Sequence, residues 1–188
     1  MNTHNHAILN LALLGQRSGQ TNLAIAFGSI LPDLPIFGFY LWAKFIAKLP
    51  ESKIWGELYF QEPCQTFVAL SHSIPIALLI GIIAYLNGWE TVQVICLSCL
   101  LHSLEDLPVH HDDAHRHFFP LSNYRFISPI SYWDPKHYGA IVAAVELSSA
   151  AIASFLIFPR IHFWLGRSAL VLINVLSILA YFRFYRNS

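Results

Sequence analysis

Residues 64–86 contain no charged side chain, and neither do residues 168–182. An apolar segment of about 20 residues is what a helix needs to cross a hydrocarbon core roughly 30 Å thick. The rest of the chain is consistent with that reading. Hydrophobic residues make up 55% of the sequence and charged ones 12%, with a mean hydropathy of +0.50. Soluble domains devote about a quarter of their residues to Asp, Glu, Lys and Arg. With half of that, this chain cannot cover a surface against water. The sequence therefore predicts an all-α, multi-pass membrane protein with the lipid bilayer as its partner, in one integral membrane domain over residues 1–188.

Further classes are excluded by charge and by the first residues. The net charge is zero, without a long basic run, so a nucleic-acid footprint is missing. The opening MNTHNHAILNLALLG has no basic region and no small-residue cleavage pattern, so it does not read as a secretory signal. Cys96 and Cys99 have the spacing of a redox or zinc pair, but inside an apolar run they read as small packing residues.

Apolar runs and their breakers predict about five long helices and a short N-terminal one. Residues 4–14 are too short to span. Residues 22–48 are interrupted by Leu31-Pro32-Asp33-Leu34-Pro35, and two prolines so close predict a broken helix with Asp33 at the break. Residues 64–86, 91–107, 139–158 and 163–184 complete the set. With the C-terminus cytoplasmic, Lys44, Lys48, Lys53, Arg116, Arg125, Lys136, Arg183 and Arg186 lie inside, and Arg17, Arg160 and Arg167 outside. This excess favours that orientation, which resembles a bacterial inner-membrane arrangement with residues 109–137 on the cytoplasmic side.

Asp33, His72, His102, Asp106 and Glu146 stand in or beside apolar segments. An ionised acid at the bilayer centre costs roughly 2.5–3.5 kcal/mol on insertion scales. Unpaired, this set would cost as much as a domain's whole stability, so its members must satisfy one another, a metal or a watery cavity. His102 and Asp106 are four apart and share one helical face, so an imidazole and a carboxylate reach the same cation. The same pair also fits a plain hydrogen bond within a helix, and His72 a satisfied core histidine. Glu105 is expected to point away from that face, and Glu146 to pair with a histidine or a helix end.

Beyond Asp106 comes the loop 109–137, with His110, His111, Asp112, Asp113, His115 and His117 in eight residues. Zinc, manganese or iron takes this mixture of nitrogen and oxygen donors. A pH-sensitive interfacial loop is the plainer alternative. The aromatic residues Phe118, Phe119, Tyr124, Phe126, Tyr132 and Trp133 fit a headgroup belt or an apolar substrate groove.

Taken in order, Thr3-His4, Gly28-Ser29-Ile30-Leu31-Pro32-Asp33, Ser71-His72-Ser73, Leu101-His102-Ser103-Leu104-Glu105-Asp106 and Phe119-Pro120-Leu121-Ser122 resemble the membrane-bound metal-dependent hydrolases. That family is also described as LexA-binding and inner-membrane-associated. The chain departs from its pattern at Pro35, where many members carry a second aspartate, and at Leu70-Ser71 before His72. His102, Asp106 and then His110 or His111 are also similar to the His-x-x-x-Asp arrangement of zinc-dependent phospholipase C. These resemblances imply a divalent metal held by His4, Asp33, His72, His102, Asp106, His110 and His111. Asp113, His115 or His117 would complete the shell or act as general base. They imply hydrolysis of a phosphoester or lipid-derived ester by metal-activated water. A metal or proton transporter or sensor built on the same intramembrane residues is the rival expectation.

Overall fold

The computed structural model describes residues 1–16 and 18–185. Arg17 and Arg186, which entered the charge count above, lie outside the described residues. Among the described residues there is no strand. The α-helices are α1 (Thr3–Leu14), α2 (Gly19–Ile30), α3 (Leu34–Leu41), α4 (Glu51–Gly56), α5 (Glu62–Ser71), α6 (Ile74–Leu86), α7 (Glu90–Asp106), α8 (Gly139–Ile157) and α9 (Trp164–Tyr185). Four helical stretches are long and apolar enough to cross a membrane: Gly19–Ile46, Glu62–Leu86, Gly139–Arg160 and Trp164–Tyr185. Large apolar side chains stand exposed along α6, α8 and α9, among them Leu79, Phe155 and Leu172. A bilayer would cover such faces, whereas water would not tolerate them.

Prolines decide where these helices break. A 3₁₀ turn, Leu31–Asp33, separates α2 from α3 as the Pro32/Pro35 pair requires. Pro32 has no N–H to give the Gly28 carbonyl, and the Cys99 thiol takes that acceptor instead at 3.2 Å. The stretch 64–86, expected as one helix, is two. Pro75 sits in the first turn of α6, where its missing N–H is harmless, and the Ser73 hydroxyl caps that turn by accepting from Ile76 N at 3.1 Å. His72 is left between the two helices.

Packing is organised around α7, which lies along both α2 and α6, while α1 lies against α2 and α8, and α9 covers α8. Ile8, Ala153, Ile157 and Leu170 form the buried apolar cluster of the α1–α8–α9 junction. Where α2 meets α7, a Cβ on Gly28 would fall 2.5 Å from the Ile95 carbonyl oxygen and 2.8 Å from Ser98 Cβ. The two backbones approach as closely as they do because that side chain is absent. This brings Asp33, just past the end of α2, to the level of His102 and Asp106 in the last turns of α7.

Candidate metal centre

Each donor in the cluster is set by a helix end. Asp33 follows α2, His72 follows α5, His102 and Asp106 close α7, and His6 lies near the start of α1. All five are buried. His72 Nε2 lies 3.4 Å from Asp33 Oδ1 and 3.8 Å from Asp106 Oδ2. His102 Nε2 lies 3.7 Å from Asp33 Oδ1 and 3.0 Å from Asp106 Oδ2. Ligands of a tetrahedral ion at about 2.0–2.1 Å stand roughly 3.4 Å apart. Asp33, His72 and His102 thus bring one ligand atom each to a space of cation size, and Asp106 stands against both imidazoles.

The hydrogen bonds of the two imidazoles make this more than proximity. His72 Nδ1 donates to the Val68 carbonyl at 2.9 Å, and His102 Nδ1 donates to the Ser29 carbonyl at 2.7 Å. A carbonyl only accepts, so the proton is on Nδ1 in both rings, and a neutral ring turns a bare Nε2 lone pair inward. Both Nε2 atoms are buried without a hydrogen-bond partner. Lone pairs facing carboxylate oxygens repel, and a cation between them removes the conflict. Fixing the tautomer by a backbone carbonyl on the far nitrogen is how metal-ligating histidines are held.

His6 belongs to the cluster, which the sequence did not single out. Its Nδ1 donates to Glu105 Oε2 at 2.6 Å, its Nε2 faces Asp106 Oδ1 at 3.0 Å, and its ring stacks on His102 at 3.7 Å. Glu105 therefore serves the site through His6, contrary to the expectation that it points away. His4, two residues earlier in α1, lies on another face and meets Ser177 Oγ at 2.8 Å. We expect His6→Ala to weaken metal binding by at least about tenfold while His4→Ala leaves it unchanged, as read by competition against a chromophoric chelator.

The loop 109–137 divides in the same way. His110 Nε2 lies 3.1 Å from Asp106 Oδ1, which also accepts from the Met1 amino group at 2.6 Å. His115 joins His72 and Asp106 with ligand atoms within 4.8 Å of one another. Two further triads meet that limit, His6–His102–Asp106 and Asp33–His72–His102. His111 does not reach the cluster: it stacks on His137 at 3.6 Å and bonds the Ser128 carbonyl at 2.5 Å. His117 stays on the margin, its Nδ1 3.4 Å from the His72 carbonyl. Burial, reinforced by His72, holds the His115 and His117 imidazoles below their ordinary value, His117 at about 4. Both are thus neutral near pH 7, the form in which imidazole ligates.

Docking of the loop is backbone-driven. Ile74 N donates to the His117 carbonyl at 2.9 Å, and the Ser73 hydroxyl donates to the Phe119 carbonyl. Ser103 Oγ donates to the His72 carbonyl at 3.0 Å, tying the α5–α6 break to α7. Between this loop, α1 and the α3–α4 region opens a cavity of about 700 Å³. Its polar floor includes Asp33, His110, Asp113 and His115, and its walls include Phe37, Trp55, Tyr59 and Tyr132. Asp113 Oδ2 lies 3.1 Å from His110 Nδ1 and accepts from Trp133 Nε1 at 3.1 Å, while Oδ1 has no partner. Burial works against its charge, yet His110 and then Trp133 hold Asp113 below the ordinary carboxylate range.

The buried histidine–aspartate cluster could hold a metal ion, and nothing in its geometry identifies which. No family model matches this chain, and no curated protein or solved structure matches it either.

Proposed function

We propose that this chain is a multi-pass integral membrane hydrolase, dependent on a divalent metal, zinc in the first place with manganese or iron as alternatives. Its substrate class is a phosphoester or a lipid-derived ester. The single observation that carries this reading is the pair of buried, unpartnered Nε2 atoms on His72 and His102, each fixed in tautomer by a backbone carbonyl. Asp33, His72, His102 and Asp106 would hold the ion, with His6, His110 and His115 around them. Bound there, a divalent ion supplies Lewis acidity and activates water. Asp113, which lines the cavity and has an unpartnered Oδ1, would serve as the proton acceptor, and the His110–Trp133 pair keeps that carboxylate ionised and oriented. The aromatic walls take the apolar part of the substrate and exclude water around the reacting bond.

In this reading α7, whose 17 residues rise about 25 Å, is the fifth crossing element, and the fold belongs with the membrane-bound metal-dependent hydrolases. The excess of Lys44, Lys48, Lys53, Arg116, Arg125, Lys136 and Arg183 on one side supports a cytoplasmic position for the cavity. A metal or proton carrier would need its donors strung across the membrane. The donors named here gather in one cluster, and Asp33, His110 and His115 among them line one cavity, which supports hydrolysis over transport.

Elemental analysis of the detergent-purified protein tests the proposal. We expect at least one equivalent of divalent metal, and cleavage of a generic chromogenic phosphodiester that stops on chelation and returns on adding the metal back. Protein purified without metal, whose folding and activity survive alanine at both His102 and Asp106, would end this reading.

A further inference from the structure

A second cavity, of about 270 Å³, lies between the start of α1 and helices α8 and α9. Glu146, buried in α8, lines it. Its Oε1 accepts from Asn2 N at 2.7 Å, Asn2 Nδ2 at 3.0 Å and Asn5 Nδ2 at 2.6 Å. Oε2 is buried and has no hydrogen-bond partner, and among the described residues no basic side chain forms an ion pair with this carboxylate. A buried carboxylate kept in place by three donors on one oxygen and unpaired at the other is completed by a positive charge beside it.

The walls of the cavity indicate what kind of charge. Tyr132, Trp133, Tyr181 and Tyr185 line it with Glu146. The Tyr181 and Tyr185 hydroxyls are engaged by backbone carbonyls, Ala140 and Tyr132–Trp133 respectively, which leaves their rings as wall. Aromatic faces around one carboxylate suit an organic ammonium, which is poorly hydrated and attracted by ring quadrupoles, better than a small metal ion that demands several oxygens. We infer that this cavity binds a small ammonium group, up to quaternary, with Glu146 as counter-ion and the aromatic rings as its cage. The site goes beyond the metal centre and rests on neither a bound metal nor hydrolysis. Tyr132 and Trp133 also line the larger cavity, so the two sites share a wall.

Calorimetric titration of the purified protein, in nanodiscs of phosphatidylglycerol, with choline tests the inference. Its neutral carbon isostere 3,3-dimethylbutan-1-ol is the control. Choline is expected to bind saturably and at least about tenfold more tightly than the isostere. Glu146→Gln and, separately, Tyr181→Leu should each weaken choline by about tenfold and leave the isostere unchanged, in protein whose thermal melting is preserved. If Glu146→Gln does not fold, Tyr181→Leu and the choline–isostere comparison decide alone. Repeating the titration in phosphatidylcholine nanodiscs distinguishes the source. Loss of choline binding there assigns the site to a lipid headgroup, and unchanged binding assigns it to a soluble cation; both support an ammonium site. Equal binding of choline and isostere, indifference to both substitutions, or no choline binding by folded protein up to tens of millimolar overturns it.

Discussion

Replacing Asp106 by alanine is expected to abolish, together, the metal binding and the hydrolysis proposed above. Asp106 is the residue on which the cluster converges. Oδ1 takes the Met1 amino group and faces His6 and His110, while Oδ2 faces His102 and His72. Outer partners of a metal ligand are worth about 10–100-fold in affinity when removed, and a direct ligand shared by so many neighbours sets a larger loss. Without metal, the alanine variant packs four histidines and the Met1 amino group around a position that has lost its carboxylate, so positive charge there goes uncompensated. Its stability should therefore fall below that of chelated wild type, and should fall further on acidification. Elemental analysis and thermal melting of Asp106→Ala beside chelator-treated wild type check both parts. A variant that retains full metal content removes Asp106 from the ligand set.

Gly28→Val should unfold the α2–α7 contact and, with it, the site. Even a single Cβ meets the Ile95 carbonyl oxygen at 2.5 Å and Ser98 Cβ at 2.8 Å, atoms of α7 that cannot swing aside as the end of a flexible side chain could. Overpacking of this kind costs about 1–3 kcal/mol, and a branched side chain lies at or above the upper end. The loss does not stay local. Ser98 Oγ donates to the Ile25 carbonyl at 2.7 Å, Cys99 to Gly28, and His102 to Ser29, so three side chains of α7 are anchored on the α2 backbone around this glycine. Pushing the helices apart frees His102 from the carbonyl that fixes its tautomer. Gly38→Ala, where an added Cβ meets nothing within 4 Å, is the matched control and should melt like wild type. Equal melting temperatures for Gly28→Val and wild type would contradict the close approach.

The features that sequence alone revealed are those with one physical interpretation. Charge-free runs as long as 64–86 admit few fates other than a helix in lipid, and Asp33 between two prolines admits few other than a break. His72, His102 and Asp106 stood out because an apolar helix penalises an idle polar group. The choice between His4 and His6 could not be made in the same way. Thr3, His4, Asn5 and His6 put a polar side chain on every face of the first turn of α1, so its pattern does not say which face turns toward α7; residues two apart point in different directions, and only packing against α2 and α8 selects one. His110 and His111 pose the same problem in a loop with no period at all. The α5–α6 break was hidden because a proline in a helix's first turn is as compatible with a long helix starting there as with an interruption. Glu146 was expected to meet a histidine or a helix end, and it meets the N–H of Asn2 at the start of α1.

The donors of the candidate metal centre come from positions 6 to 115, in the order in which the chain is synthesised. Asp33 enters the bilayer with α2 and α3 long before α7 exists, and until then His72 is its only later partner. An ionised aspartate in such a segment costs roughly 2.5–3.5 kcal/mol, which the apolar residues of Gly19–Ile46 must offset. Until α7 follows, the Thr3 hydroxyl and then His72 are the partners the chain supplies to that carboxylate, so its full set of neighbours is complete only late in synthesis.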